Sequence, residues 1–189
     1  MKLMQEKILS EGVVLPGGVL NVGSFLNQTI DTVFMEEAGK EIASLFKDNL
    51  PTKILTVEAS GIGIAVAAGM IMKIPVLVAK KSLSSNVSKD VYSTTIHSFT
   101  HNADNQVIVS REYLGDKDKI LIIDDFLANG CAMEGLIQIV EEAGASLIGC
   151  CVAIEKGFQH GGDRLRDKGY RIESLAIIDE MDENRILFR

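Results

Sequence analysis

Ile120-Leu-Ile-Ile-Asp-Asp-Phe-Leu-Ala-Asn-Gly-Cys-Ala132 decides the fold. Four apolar residues in a row, Ile120 to Ile123, predict a strand covered on both faces. Asp124 and Asp125 close it. Ala128-Asn129-Gly130 then turns tightly into a helix expected from about Asn129 to Ala143. Backbone N–H groups at such a helix start have no partner within the helix, and the helix dipole adds positive potential there. An anion is the natural occupant. Each hydrogen bond to a charged partner is worth ~1.5–3 kcal/mol, so four would anchor a phosphate without a lysine. Gly130 lets the backbone come close. Paired carboxylates beside a phosphate suit the vicinal hydroxyls of a phosphorylated sugar. The same residues also suit an ordinary turn with Asn129 capping the helix, although two carboxylates ending a buried strand need partners.

Outward from this stretch the chain alternates strand-like runs with helices. Strands are expected at Lys53–Glu58, Ile74–Ala79, Ser146–Ile154 and Ile172–Ile178, with helices at Gly61–Lys73 and Asp163–Lys168. Such an alternation predicts an α/β fold with a parallel sheet and helices on both faces, and ligands bound beyond the C-terminal strand ends. Residues 2–11 read as a short helix, and the residues around Pro16-Gly17-Gly18 as extended segments and turns. Asp31 is the expected N-cap of a helix to about Asp48, with Phe34, Ala38, Ile42 and Leu45 on its buried stripe. Residues 81–112 break the rhythm: a polar loop, Ser82 to Asp90, precedes a β-hairpin carried by Tyr92–Phe99 and Val107–Val109. That loop and hairpin are a candidate lid. His97 and His101, in or beside it, lack a metal-ligand spacing and read as surface residues.

Composition narrows the class. The 189 residues are 47% hydrophobic and 24% charged, as expected of one globular domain, and the net charge is −7. No Lys/Arg block exceeds a pair, which argues against a nucleic-acid partner. No apolar run approaches a membrane span, and the N-terminus lacks a secretory pattern. Cys131, Cys150 and Cys151 form neither a disulfide framework nor a spaced metal site, which points to a reducing cytoplasm. Cys150 and Cys151 read as small core residues. Cys131, at a helix start, invites a redox role, but the plainer reading has it contribute only its N–H.

Glu58-Ala-Ser-Gly-Ile-Gly63 follows a strand and opens a helix. Ser60 and Gly61 make it a second candidate anion loop, weak as a bare pattern. Lys80 and Lys81 lie just past the next strand, either as counter-ions for a leaving group or as a solvated basic pair.

The Ile120–Ala132 stretch resembles the phosphoribosyl pyrophosphate motif of the type I phosphoribosyltransferase family. It departs from the common form at Asn129, where Thr is usual, at Cys131, where Gly is frequent, and at Ala132, where Ser or Thr stands. Asp-Asp-Phe-Leu-Ala-Asn-Gly is similar to the xanthine-using branch in particular. So are Glu11-Gly-Val-Val-Leu15, Ser24-Phe-Leu-Asn27, Ala59-Ser-Gly-Ile62 and Ile154-Glu-Lys-Gly-Phe-Gln159. The similarity spans essentially the whole chain.

The resemblance implies one phosphoribosyltransferase domain over residues 1–189. A mainly parallel sheet flanked by helices forms the core at 51–189, with a small hood within 1–50 and a flexible hairpin loop near 81–112. It implies transfer of phosphoribose from phosphoribosyl pyrophosphate to N9 of xanthine. Mg²⁺ would be chelated mainly by that co-substrate, with no metal site on the protein, and the enzyme would be a homodimer. Ala128, Asn129, Gly130, Cys131 and Ala132 would hold the 5′-phosphate, and Asp124 and Asp125 would serve as catalytic residues. Ser60, Gly61, Lys80 and Lys81 would meet the pyrophosphate. Leu20, Asn27, Phe126 and Lys156 would take the base, although without the resemblance Leu20 and Asn27 are ordinary hood residues. Hypoxanthine-guanine relatives place an aspartate where Ala128 stands. Xanthine is the more acidic oxopurine, so an anionic base favoured by Lys156 would replace that general base. The alternatives are hypoxanthine, guanine or adenine as acceptor, or a regulator that senses phosphoribosyl pyrophosphate. Lys156 disfavours adenine, Ala128 disfavours the hypoxanthine-guanine type, and the acidic charge disfavours a regulator on nucleic acid.

Overall fold

The structure, a computed structural model, describes residues 2–81, 90–98 and 103–189. The polar loop at 82–89, His101 and the tip of the expected hairpin lie outside these residues. The central sheet has six strands: β3 (Lys53–Val57), β4 (Val76–Ala79), β7 (Lys119–Leu127), β8 (Ser146–Lys156), β9 (Ile172–Met181) and β10 (Ile186–Phe188). Their order is β10-β9-β8-β7-β3-β4. All pairings are parallel except that of β10, an antiparallel edge strand.

Strand β7 earns its central place from sequence. Ile120, Leu121, Ile122 and Ile123 have no exposed surface, and they divide by alternation between two cores. Leu121 and Ile123 join α1 (Lys2–Glu11), α2 (Thr32–Leu45) and α3 (Gly61–Met72) on one face. Ile120 and Ile122 pack on the other face, with α4 (Cys131–Glu142) and α5 (Gly161–Asp167). Asp31 caps α2 as expected, its carboxylate accepting the Phe34 N–H at 3.1 Å. The small residues of α3 let α2 come close: a methyl on Gly39 would stand 2.8 Å from the Ala67 carbonyl oxygen.

Two antiparallel hairpins complete the fold: β1 (Val13–Leu15) with β2 (Val19–Asn21), and β5 (Val91–Ser98) with β6 (Ala103–Ser110). The second docks on α4, where Thr94 donates to the Gln138 side-chain oxygen at 2.9 Å. It is tied to the end of β4 by reciprocal backbone bonds between Lys80 and Ile108, 2.9 and 2.8 Å.

Element ends moved where pairing overrode composition. β7 continues past Ile123 to Leu127 because its ladder with β8 runs on to Leu127 opposite Glu155. α2 stops at Leu45 and α4 begins at Cys131. α5 starts two residues before the expected Asp163.

Chain order reverses between β3 and β7. From β3 the chain steps outward through α3 to β4, and from β7 it steps the opposite way through α4 to β8. A crevice opens at such a switch point, beyond the C-terminal strand ends.

Candidate active site

A cleft of about 820 Å³ occupies that crevice. Its floor is the end of β7, where Asp124 and Asp125 are each 7% exposed. Asp124 Oδ1 accepts the Asp125 N–H at 2.9 Å. Burial, reinforced by the neighbouring Asp125 carboxylate, holds the Asp124 carboxyl well above the ordinary aspartate range. Gly61 presses against this floor. A methyl there would collide with Asp124 Oδ1 and stand 2.6 Å from Thr56 Oγ1, a buried hydroxyl with no partner among the described residues.

On one side Ala128, Asn129, Cys131 and Ala132 line the cleft. Gly130 makes the turn at φ 88°, a left-handed conformation that favours glycine. The Asn129 side-chain oxygen accepts the Cys131 N–H at 3.2 Å. On the opposite side Glu58 and Ser60 line the cleft ahead of α3. The Glu58 carboxylate accepts the Lys81 N–H at 2.6 Å and the Lys80 ammonium at 3.2 Å. The Lys81 N–H, with lesser help from Lys80, keeps Glu58 below the usual carboxylate range. Lys81 lines the cleft, whereas Lys80 lies outside its lining.

Lys156, at the end of β8, lines the third side with its Nζ 5.9 Å from the Phe126 ring centroid. Burial pushes the Lys156 ammonium below the usual lysine range. Glu155, immediately before it, is fully buried and meets Arg166 in a two-pronged ion pair of 2.8 and 2.6 Å; Ser174 donates to the same carboxylate.

The Phosphoribosyl transferase domain model matches residues 29–186. The chain is 48% identical to "Xanthine phosphoribosyltransferase 1" of Clostridium perfringens, with 100% of both chains covered. It is also 48% identical to xanthine phosphoribosyltransferases of Lachnoclostridium phytofermentans and Bacillus cereus, covering all of this chain and 98% and 95% of theirs. The chain belongs to the phosphoribosyltransferase family. Its type I fold is shared with adenine phosphoribosyltransferase of Giardia lamblia, at a TM-score of 0.77 and 19% identity over 94% of this chain and 98% of that one. The enzyme of Leishmania donovani gives the same TM-score at 17% identity, over 97% and 83%.

Within this family frame, most of the residues expected to act together share one cleft: Asp124, Asp125, Ala128, Asn129, Cys131, Ala132, Ser60, Lys81 and Lys156. Gly130, Gly61 and Phe126 lie outside the lining but next to residues that form it. Leu20 and Asn27 stand apart. Leu20 is buried in the core beneath β2, and Asn27 is exposed on an apolar cavity of about 810 Å³ between α2 and α3. Ser60 is common to both cavities. Sequence reasoning missed the hairpin residues Gly17, Gly18, Val19, Ile96, Asn105 and Val107, which line the cleft through turns and pairings invisible in composition. Glu58 and Gln159, which stand inside the motifs without an expected role, also line the cleft.

Proposed function

We propose that the cleft moves the 5-phosphoribosyl group from phosphoribosyl pyrophosphate to N9 of xanthine, giving xanthosine 5′-monophosphate and pyrophosphate. The observation that carries this reading is the buried acidic pair Asp124–Asp125, set between two strand-to-helix loops that face one cleft. The names of the full-length relatives support xanthine as the base.

The roles follow from chemistry. The N–H groups from Ala128 to Ala132 hold the 5′-phosphate. Asp124 and Asp125 accept hydrogen bonds from the ribose hydroxyls and steady the sugar as positive charge grows at its anomeric carbon. Ser60, Gly61 and Lys81 receive the pyrophosphate as the bond to the anomeric carbon breaks, with Lys80, held by Glu58 outside the cleft lining, adding positive charge behind them. Base nitrogen N9 forms the new bond at that carbon. Ala128 brings no carboxylate, so the base reacts as xanthine that has already lost its proton, with the Lys156 ammonium stabilising the anion and Phe126 beside it. Leu20 and Asn27, the hood residues that the resemblance gives to the base, lie off the cleft lining, and Val19, next to Leu20, is the residue of β2 that lines it.

Among the described residues no group of three or more His, Cys, Asp or Glu side chains forms a metal site. Two adjacent carboxylates suit a Mg²⁺ that arrives on the phosphate oxygens and keeps several waters. Asp124 and Asp125 would accept from those waters, and the ion would neutralise charge on the departing pyrophosphate.

No helix of the described residues is long and apolar enough to cross a membrane. The free thiols fit the cytoplasm. The exposed apolar residues Ile30, Val33, Val66 and Met70, all but Val33 lining the second cavity, argue for a homodimer, which sedimentation would detect.

The test is nucleotide formation from xanthine, hypoxanthine, guanine and adenine with phosphoribosyl pyrophosphate and Mg²⁺. A strong preference for xanthine supports the reading. Preference for another base overturns the acceptor, and no turnover with any base overturns the enzyme.

A further inference from the structure

Helix α5 approaches the phosphate loop from the side away from the cleft. Gly161 makes this approach possible: a methyl there would collide with the Ala128 carbonyl oxygen and stand 2.6 Å from the Asn129 carbonyl carbon and 2.7 Å from the Gly130 nitrogen. Three residues on, the Arg164 guanidinium donates to the Asn129 carbonyl oxygen. Its neighbours in charge are committed elsewhere, Arg166 to Glu155 and Asp163, and Arg189 to Asp163 and Asp179. Arg164 has no carboxylate within 4.0 Å among the described residues.

A trans peptide carries its C=O and N–H on opposite sides. Arg164 holds the Asn129 carbonyl from outside the cleft, and so holds the Gly130 N–H pointing the other way, into the loop. Glycine adopts both hands of backbone conformation readily. Without a partner on that carbonyl, the Asn129–Gly130 peptide is free to turn over and present a carbonyl dipole to the anion instead of a donor. The helix that presents Arg164 is itself fixed, because Arg166 grips the buried Glu155 carboxylate and Leu165 is fully buried beneath Gly130.

We infer that Arg164 is a positioning residue: without touching substrate, it locks the Asn129–Gly130 peptide in the orientation that binds the 5′-phosphate. The inference rests on the proposed reading of this loop and adds a residue outside the cleft to it.

The test compares the wild-type protein with Arg164→Ala and Arg164→Lys. Steady-state rates give KM and kcat, calorimetry gives the affinities for ribose 5-phosphate and pyrophosphate separately, and thermal melting checks the fold. Arg164→Ala is expected to raise KM for phosphoribosyl pyrophosphate and weaken ribose 5-phosphate by about tenfold, the loss of one charge-assisted hydrogen bond. The kcat, the melting temperature and the pyrophosphate affinity stay as in the wild type. Arg164→Lys recovers part of the loss, since an ammonium offers a donor without the planar fork. Unchanged ribose 5-phosphate affinity in Arg164→Ala overturns the inference, as does equal weakening of both ligands. A wild-type protein that binds no ribose 5-phosphate overturns the reading of the loop itself, a different failure from that of the variant.

Discussion

Two loops face each other across the cleft, and they are built differently. The loop ahead of α4, residues 128–130, is braced from outside by α5, through Gly161 against its backbone and Arg164 on its carbonyl. The loop ahead of α3 carries its own carboxylate, Glu58, which occupies the Lys81 N–H and the Lys80 ammonium. One side carries only a neutral internal acceptor, the Asn129 side chain on the Cys131 N–H; the other already holds an internal carboxylate. This contrast suits a transferase. In the proposed reading the 5′-phosphate stays bound through the reaction on the rigid loop, while pyrophosphate leaves from the loop whose donors already have an internal competitor, Glu58.

The comparison breaks most heavily at the brace. Glu155→Ala leaves Arg166 without its buried partner and frees α5, and is expected to cost about 3 kcal/mol of stability. That is the low end for such a pair, because Arg166 keeps contact with solvent. Urea unfolding checks it. Next comes Gly161→Ala, whose methyl pushes on backbone that cannot yield. The displaced loop should lower kcat/KM for phosphoribosyl pyrophosphate by about 10²-fold. Gly63→Ala, in the first turn of α3 behind the opposite loop, meets only flexible side-chain ends, Ile30 at 3.1 Å and Met35 at 3.7 Å, and should leave that ratio near the wild-type value.

Between the loops, Asp124 holds its carboxyl above the ordinary range. Its contribution to stability is therefore present below the usual aspartate pKa and is lost as pH rises through the raised folded value. Asp124→Asn, which keeps the oxygen that accepts the Asp125 N–H, should raise the melting temperature at neutral pH by about 2–4 °C while lowering turnover. Melting curves at acid and neutral pH check the sign, since the gain should shrink at acid pH. Glu58→Gln is the mildest change. Removing the internal anion should tighten pyrophosphate binding by about two- to fivefold and leave ribose 5-phosphate untouched, by calorimetry.

The difference between the loops also marks how much was legible in the sequence. The apolar run at Ile120–Ile123 announced a central strand, and the acidic pair with its small-residue turn announced an anion site, because both signals lie within thirteen neighbouring residues. The brace is illegible: Arg164 reaches Asn129 across 35 residues, and nothing local distinguishes it from Arg166, two residues on, which pairs with Glu155 instead. Glu58 stands within a motif, yet its bonds to Lys80 and Lys81 span 22 and 23 residues and depend on β3 lying beside β4. Leu20 and Asn27 came from resemblance alone, and the fold sets them off the cleft lining, one in the core and one on the neighbouring cavity.

The most direct test of the account is a crystal structure with xanthosine 5′-monophosphate bound. The account predicts the phosphate on the N–H groups of Ala128 to Ala132, the ribose hydroxyls on Asp124 and Asp125, and the base beside Phe126 and Lys156. A phosphate seated instead at Ser60–Gly63, with the base away from Lys156, would contradict it.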